Sequence, residues 1–539
     1  MASLHTVVIA LGSNLGDRFR NIELALRLLE HPTDVFVSLN DGRDSPAESS
    51  AIPQDASLDI INTSFMYETA PMYVKDQSEF INCACIVETN LEPLQLLKLL
   101  KRIEECVGRV PSKRYGPRIV DLDIIFFDNE VIDTRSLVIP HPRIAEREFV
   151  LRPVSDMIPD YEHPLLRKTI KTLLSELKVT DILPMCKVVP FPRYPIPIIP
   201  SDEPDELSGS YPQSVGYVPP TLTYWKYQSR STPQASPRSP NKSQTHIMAI
   251  INMTPDSFSD GSLYDTSSAA LERARESISA GATILDVGGY STRPGAGFVS
   301  VDEEIMRVKL LIDEVRQTGA AGFNLSSEEE VEDSELTNVL MSVDTFRPEV
   351  AKEAIQSGVN CINDVYSFTG PGWWKSMKQV ARDHAVPVVL MHSRGDAGKN
   401  KIYDMYSYAE EKVVEAVRVE LGNKVDRIVK GKGGVRRWFV IVDVGIGFSK
   451  KRADNLTLLR KSNRRRNPLA GFPQLVGASR KAFLGEILAK DGKKVPPRER
   501  CWATAATVAC SVQQGALAVR VHDVKEMVDV VRISEAIWT

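Results

Sequence analysis

Apolar and polar positions alternate with two different periods along this 539-residue chain. At 6–11, 62–69, 80–89 and 120–127 the apolar residues form short β-branched or aromatic runs of strand length. At 17–30 and 93–108 they recur every three or four positions, as a helix requires. The stretch LEPLQLLKLLKRIEECVG ends on Gly108, where a helix C-cap belongs. The resulting order β-α-β-β-α-β predicts a ferredoxin-like α+β sandwich. Residues 40–60, rich in Ser, Asp, Pro and Ala, read as a surface insertion.

Beyond residue 244 one unit recurs: a short apolar run, a polar or glycine-rich loop, then an amphipathic helix. The runs are IMAIIN (247–252), TILDVGG (283–289), LMSVDT (340–345), CINDV (361–365), PVVLMHS (387–393), FVIVDVG (439–445), QLVGAS (474–479) and ALAVRVHD (516–523). Such alternation predicts a (β/α)8 barrel, with an open doubly wound sheet as the alternative. Residues 326–335 and 427–437 read as exposed loops between units.

Thirteen of the 34 prolines fall between 184 and 240, among Ser, Gln and Gly. That composition favours extended, poorly packed chain. The expected organisation is therefore an α/β multidomain chain: one domain at 1–180, a Pro/Ser-rich linker at 181–243 and the barrel at 244–539. Within the linker, LTYWKY at 222–227 has the character of a segment that docks on a neighbour.

Composition adds little. A net charge of -4 gives no reason to expect nucleic acid or an anionic membrane as partner. The basic cluster KSNRRRN at 461–467 reads as a solvated loop. Seven cysteines without a C-x-x-C or zinc spacing suit a reducing compartment. No run of some 18 apolar residues occurs, and the N-terminal residues carry no recognisable targeting pattern. A cytoplasmic or mitochondrial location is expected.

The predicted strand RIVDLDIIFF, 118–127, contains two carboxylates, Asp121 and Asp123. Residues two apart on a strand share a face, so the pair would repel unless a cation lay between them. Arg109, Lys113, Arg114, Arg118, His141, Arg143 and Arg147 lie close by in sequence. Carboxylates among guanidinium groups suit polyphosphate with Mg²⁺, and a ligand-free ion-pair network is the other reading. There is no P-loop string.

ALGSNLGD (10–17), YETAPMY (67–73), FIN (80–82), RYGPRIVDLDII (114–125) and IPHPRIAEREFVL (139–151) resemble 6-hydroxymethyl-7,8-dihydropterin pyrophosphokinase. The resemblance implies ATP-dependent pyrophosphorylation of the pterin, releasing AMP. It gives Asp121 and Asp123 to Mg²⁺, and Arg109, Arg114, Tyr115, Arg118, His141 and Arg147 to ATP, with Arg109 and Arg118 as catalytic groups. It places Thr69, Ala70, Met72, Phe80, Asn82 and Phe149 around the pterin. Tyr115 stands where that family commonly has Trp, and Phe80 where it has Tyr; both keep a stacking face.

A (β/α)8 barrel carries its functional residues at the carboxyl ends of its strands. Those ends bear Asn252, Asp286, Asp344, Asn363, His392, Asp443, Ser479 to Lys481, Arg520 and His522. Acids and amides beside a Lys suit a heterocycle presenting amide and amino groups, and Arg520 with His522 suits an anion. The strings IMAIINMTPDSFSDG (247–261), DVGGYSTRPGA (286–296), LVGASRKAFLG (475–485) and RVHDV (520–524) resemble dihydropteroate synthase. That resemblance implies condensation of dihydropterin pyrophosphate with p-aminobenzoate. It gives Asp344, Asn363, Asp443 and Lys481 to the pterin. Pyrophosphate falls to Asn252, Thr292, Arg520 and His522, with Asn252 also a metal ligand. Arg293, Pro294 and Ser479 border p-aminobenzoate, and Lys481, Arg520 and His522 are the catalytic groups. Val444 replaces a common Pro, and Tyr290 a common Glu.

Fused chains of this order resemble those of plants, apicomplexan parasites and fungi, where an aldolase module precedes the fungal pair. The expected partners are small molecules, with a homodimer through the barrel suggested by analogy. A pterin-binding module without turnover, and a chain with one inactive domain, are the competing readings.

Overall fold

The structure, a computed structural model, describes residues 4–37, 53–72, 74, 76–109, 116–177, 185–195, 211–227, 244–253, 263–290, 297–321, 338–370, 374–395, 408, 412–461 and 468–538. The chain forms two compact units. One comprises Met1–Pro190, Pro197–Trp225 and Val429–Trp438; the other comprises Phe191–Ile196, Lys226–Ile428 and Phe439–Thr539.

One sheet is made by β1 (His5–Ser13), β2 (Leu58–Thr63), β3 (Met66–Thr69), β4 (Phe80–Thr89), β5 (Asp121–Phe127), β8 (Cys186–Pro192) and β9 (Thr221–Tyr227), and it belongs to the first unit as far as Pro190 of β8 and Trp225 of β9. Its order is β5-β1-β4-β3-β8-β9, with β2 paired to β4. A separate pair, β6 (Ile132–Asp133) and β7 (Val138–Ile139), lies outside it. The helices are α1 (Arg18–Leu29), α2 (Pro32–Val37), α3 (Pro93–Cys106), α4 (Glu148–Met157) and α5 (Ile170–Glu176). With β2 and β3, which both pair with β4, counted as one interrupted strand, the β-α-β-β-α-β order of a ferredoxin-like sandwich is present, and β8 and β9 are added at one edge.

Local chemistry explains the elements. Asp17 accepts from the backbone N–H of Arg20 and caps α1. Gln95 reaches back to the N–H of Glu92 at 2.9 Å to start α3. The expected single strand 62–69 is two strands, because the buried Ser64 hydroxyl donates to Phe65 O at 2.6 Å and accepts from Ala84 N at 2.9 Å. Val150, Leu151 and Val154 of α4 pack on Val8, Ala84, Ile125 and Phe126, which seats α4 on one face of the sheet.

Two expectations need correction here. Proline content marked 181–243 as linker, yet β8 and β9 lie inside it. All seven residues of β8 are buried, and burial of CKVVPFP outweighs the two prolines, which lie beyond its pairing of Cys186–Val188 with β3. The 427–437 stretch read as an exposed loop, but within the first unit Arg436 and Arg437 are buried. Arg436 meets Glu23 at 3.4 Å and Glu30 at 3.2 Å, and Arg437 donates to Thr63 O at 2.7 Å and Asn62 Oδ1 at 2.8 Å. Charged side chains enter a core when partners await them.

The second unit is a closed parallel barrel of β10 (His246–Asn252), β11 (Ile284–Gly288), β12 (Leu340–Asp344), β13 (Cys361–Asp364), β14 (Val388–Met391), β15 (Val440–Asp443), β16 (Gln474–Val476) and β17 (Ala518–Val521). β17 closes on β10 with His246 opposite Ala518. The open doubly wound alternative is therefore excluded. Among the described residues no helix is long and apolar enough to cross a membrane. Expected loop 326–335 lies outside the described residues.

Candidate functional site

A cleft of about 250 Å³ in the first unit gathers most of the predicted residues. Asp121, Asp123 and Arg118 reach it from β5 and the turn before it, His141, Arg147 and Phe149 from the approach to α4, and Thr69, Ala70, Met72, Phe80 and Asn82 from β3, β4 and the segment between them. The register Ala10↔Asp123 and Gly12↔Asp121 sets both carboxylates against β1. Gly12 leaves room for Asn82: a Cβ there would stand 2.8 Å from Asn82 Oδ1. Asn82 in turn donates to Thr69 Oγ1 at 2.7 Å.

Arg118 pairs with Asp121 in a short contact, and Arg109 reaches the same oxygen at 3.3 Å while bonding Glu104. Burial raises the Asp123 carboxyl above its ordinary range, and Asp121 raises it further, against His141 and Arg147. Burial holds His141 below its ordinary value, although Asp123 opposes that. Arg147 Nε is buried with no hydrogen-bond partner. Such a guanidinium, beside two carboxylates that repel, fits an anion bridged by a cation. Among the described residues no group of three or more His, Cys, Asp or Glu is arranged to hold a metal. A hard cation here would therefore complete its shell from phosphate oxygens and water, as Mg²⁺ commonly does.

Lys113, Arg114 and Tyr115 lie outside the described residues. Glu104 was missed by sequence reasoning. It is 1% exposed, accepts from Leu122 N at 2.9 Å and Lys101 at 2.8 Å, and holds Arg109. The available signal was its place four residues after Leu100, on the apolar side of α3.

The barrel mouth forms a second cluster. Arg520 donates from Nε to Asp286 at 2.5 Å and from Nη2 to Asp344 at 2.6 Å. Asn363 Nδ2 donates to Asp286 Oδ2 at 3.1 Å, and Ser342 bonds its other oxygen. Asp344 and Asn363 are neighbours across β12 and β13. Burial raises Asp344 to about 7, with Arg520 pulling down and Asp286 pushing up. Burial also raises Asp443, offset by the Gly445 N–H at 2.7 Å and by Lys481.

Ser479 Oγ lies 3.0 Å from His522 Nδ1. Lys481 Nζ stands 4.1 Å from the centre of the Phe448 ring. Asn252, last in β10, pairs with Gly288, whose Cβ position would be 3.7 Å from Asn252 Oδ1 and 3.5 Å from Asp344 Cβ. The barrel-mouth candidates thus come together at the carboxyl ends of the strands. Thr292, Arg293 and Pro294 lie outside the described residues.

His392 points elsewhere. It is fully buried, with Nε2 3.0 Å from Glu420 and Nδ1 3.0 Å from Lys450. Asp286 was legible as a strand end, but its pairing with Arg520 was not. Tyr290, in place of the common Glu, stacks against Arg347, whose guanidinium carbon lies 5.1 Å from the ring centre.

Fold and site together define a two-domain α/β chain, in which a carboxylate–guanidinium cleft and a polar-mouthed (β/α)8 barrel occur on one polypeptide. The family described as 7,8-dihydro-6-hydroxymethylpterin-pyrophosphokinase matches residues 8–159, and the pterin binding enzyme family matches residues 248–522. Folic acid synthesis protein fol1 of Pneumocystis carinii is 34% identical over 99% of this chain and 60% of its own length. The mitochondrial folate synthesis bifunctional protein of Pisum sativum is 34% identical over 98% of this chain and 89% of its own. A solved HPPK-DHPS structure in complex with substrates shares the fold at a TM-score of 0.71 and 19% identity, over 99% of this chain and all of that one. The chain belongs to the family of bifunctional folate-synthesis proteins. It spans 60% and 59% of the length of two fungal relatives that it matches.

Proposed function

We propose that the chain is a bifunctional transferase of folate biosynthesis. Its first unit moves pyrophosphate from ATP to 6-hydroxymethyl-7,8-dihydropterin and releases AMP. Its barrel condenses the product with p-aminobenzoate to 7,8-dihydropteroate and pyrophosphate. The observation that carries this reading is the cleft in which Asp121 and Asp123 face Arg147, on the same chain as the Arg520–Asp286–Asp344 cluster.

In the cleft, Asp121 and Asp123 are the residues that would hold Mg²⁺. Bound there, it would neutralise the polyphosphate charge that otherwise resists transfer. Arg118 and Arg109 fix Asp121 in place, and the free Nε of Arg147 donates to a phosphate oxygen. Asn82 and Thr69 orient the pterin edge, with Phe80 and Phe149 against its faces. In the barrel, Asp344, Asn363 and Asp443 suit the amino and amide edge of the pterin, and Lys481 its carbonyl. Arg520 and His522, with Asn252, suit the departing pyrophosphate, whose charge must be met as the C–O bond breaks. Ser479 borders the p-aminobenzoate side.

The partners in this reading are small molecules, and the barrel associates as a homodimer. The site of action in this reading is mitochondrial or cytoplasmic, and the pea relative's name, which includes mitochondrial, supports the first. One assay tests the function: purified chain with 6-hydroxymethyl-7,8-dihydropterin, Mg·ATP and labelled p-aminobenzoate. Dihydropteroate with equimolar AMP is expected. AMP without dihydropteroate would reject the barrel's part, and no AMP would reject the first unit's. Sedimentation of the same sample reads the dimer.

A further inference from the structure

Lys450 lies outside every role given above, yet it is 1% exposed and among the largest fully buried side chains. Its Nζ meets four acceptors: His392 Nδ1 at 3.0 Å, Gly445 O at 2.9 Å, Phe448 O at 2.9 Å and His392 O at 3.3 Å. These acceptors belong to the turn after β14 and the loop after β15. That loop carries the site: Gly445 N–H bonds Asp443, and the Phe448 ring lies under Lys481. The loop is also pressed tightly into place. Gly445 has φ +69, and a Cβ on it would stand 1.9 Å from His392 O.

The donors and acceptors sort out in one way. His392 is neutral, since burial and the nearby Lys450 hold it down at about 4. Its Nε2–H donates to Glu420, which leaves Nδ1 to accept from Lys450. Three carbonyl oxygens and one imidazole nitrogen then face a single amino group. An ammonium has three N–H donors for them, whereas an amine has two and turns a lone pair toward oxygen.

We infer that Lys450 is a positioning residue for the synthase reaction, its ammonium cross-bracing the 445–448 loop so that Asp443 and Phe448 are set for the pterin. This rests on the reading of the barrel given above. The charged groups around Lys450 are Asp443 and Glu420, which favour its charge, and Lys481 and Arg394, which oppose it. Burial is the largest influence and brings Lys450 down to about 7. The brace is therefore complete below neutrality and is lost as pH rises through that value.

The test compares Lys450→Met with the unaltered chain of both units across a pH series, with kinase turnover as the internal control. At about pH 6 the variant is expected to lose roughly 10²-fold in kcat/KM for dihydropterin pyrophosphate, the scale of a small misplacement of binding groups. AMP production stays unchanged. The ratio of the two chains should shrink as pH rises above about 8, because the unaltered chain then lacks the ammonium too. A ratio that stays constant with pH would mark Lys450 as a space-filling residue and overturn the proposal. Should the Met variant fail to fold, Lys450→Gln, which keeps two donors, gives the same pH comparison with a smaller loss at low pH. An unaltered chain that yields no dihydropteroate would overturn the barrel reading and the proposal together, whereas a flat ratio in an active enzyme overturns the proposal alone.

Discussion

Arg520 and Asp344 face each other across the barrel mouth, 176 residues apart in sequence and 2.6 Å apart in space. The same guanidinium also holds Asp286, whose side chain has no exposure. One cation therefore compensates two carboxylates.

Arg520→Ala leaves both acids without it. Removing one partner of a fully buried ion pair costs about 3–5 kcal/mol, and the partial exposure of Arg520 and Asp344 lowers that figure here. The variant should melt earlier in urea and lose binding of the pyrophosphorylated pterin, while AMP release from the first unit keeps its rate. Unchanged synthase KM and kcat would reject the role given to Arg520.

Asp344 adds a pH signature. Burial raises its folded value to about 7, above the ordinary carboxylate range. The folded chain thus holds this proton more tightly than the unfolded one, so its contribution to stability grows as pH falls from 7 toward 4. Activity should run the other way. If the carboxylate accepts the pterin amino group, synthase kcat/KM should fall about tenfold per pH unit below 7. Stability and activity profiles with parallel slopes would contradict this.

In the first unit, Asp123→Asn removes a carboxyl that burial and Asp121 both disfavour in its charged form. AMP formation should drop by about 10²–10³-fold, the usual cost of losing one preorganised electrostatic group. The unfolding midpoint should hold or rise, and dihydropteroate should still form when pyrophosphorylated pterin is supplied. Retained kinase turnover would remove Asp123 from the metal site.

Gly12→Ala would put a methyl group 2.8 Å from Asn82 Oδ1. Overpacking of this kind costs about 1–3 kcal/mol. Asn82 must swing, which breaks its bond to Thr69, so pterin KM in the kinase assay should rise while ATP KM changes little.

Tyr290→Ala should destabilise the barrel by about 1–2 kcal/mol, because the ring covers the buried Arg347 guanidinium. Tyr290→Phe keeps that face and should be near neutral in thermal unfolding.

The DLD string was legible because strand periodicity alone places two acids on one face, and the barrel because its unit recurs eight times. The break at Ser64 was not, since a buried hydroxyl bonding across to β4 looks like any other polar residue. Prolines hid β8, where burial overrides propensity. Lys450 ends the string GIGFSK, and nothing local says that four acceptors converge on it. Long-range pairing, such as Arg520 with Asp286, leaves no mark on neighbouring residues.

The first unit counts ten residues from deep within the barrel sequence, Val429–Trp438, among its own. A chain severed at residue 243 would therefore not yield two whole proteins. The N-terminal piece would keep Glu23 and Glu30 buried without Arg436, and Asn62 and Thr63 without Arg437. The C-terminal piece would display those arginines to water. Coexpressing the halves, so that each supplies what the other lacks, is the way to divide this polypeptide.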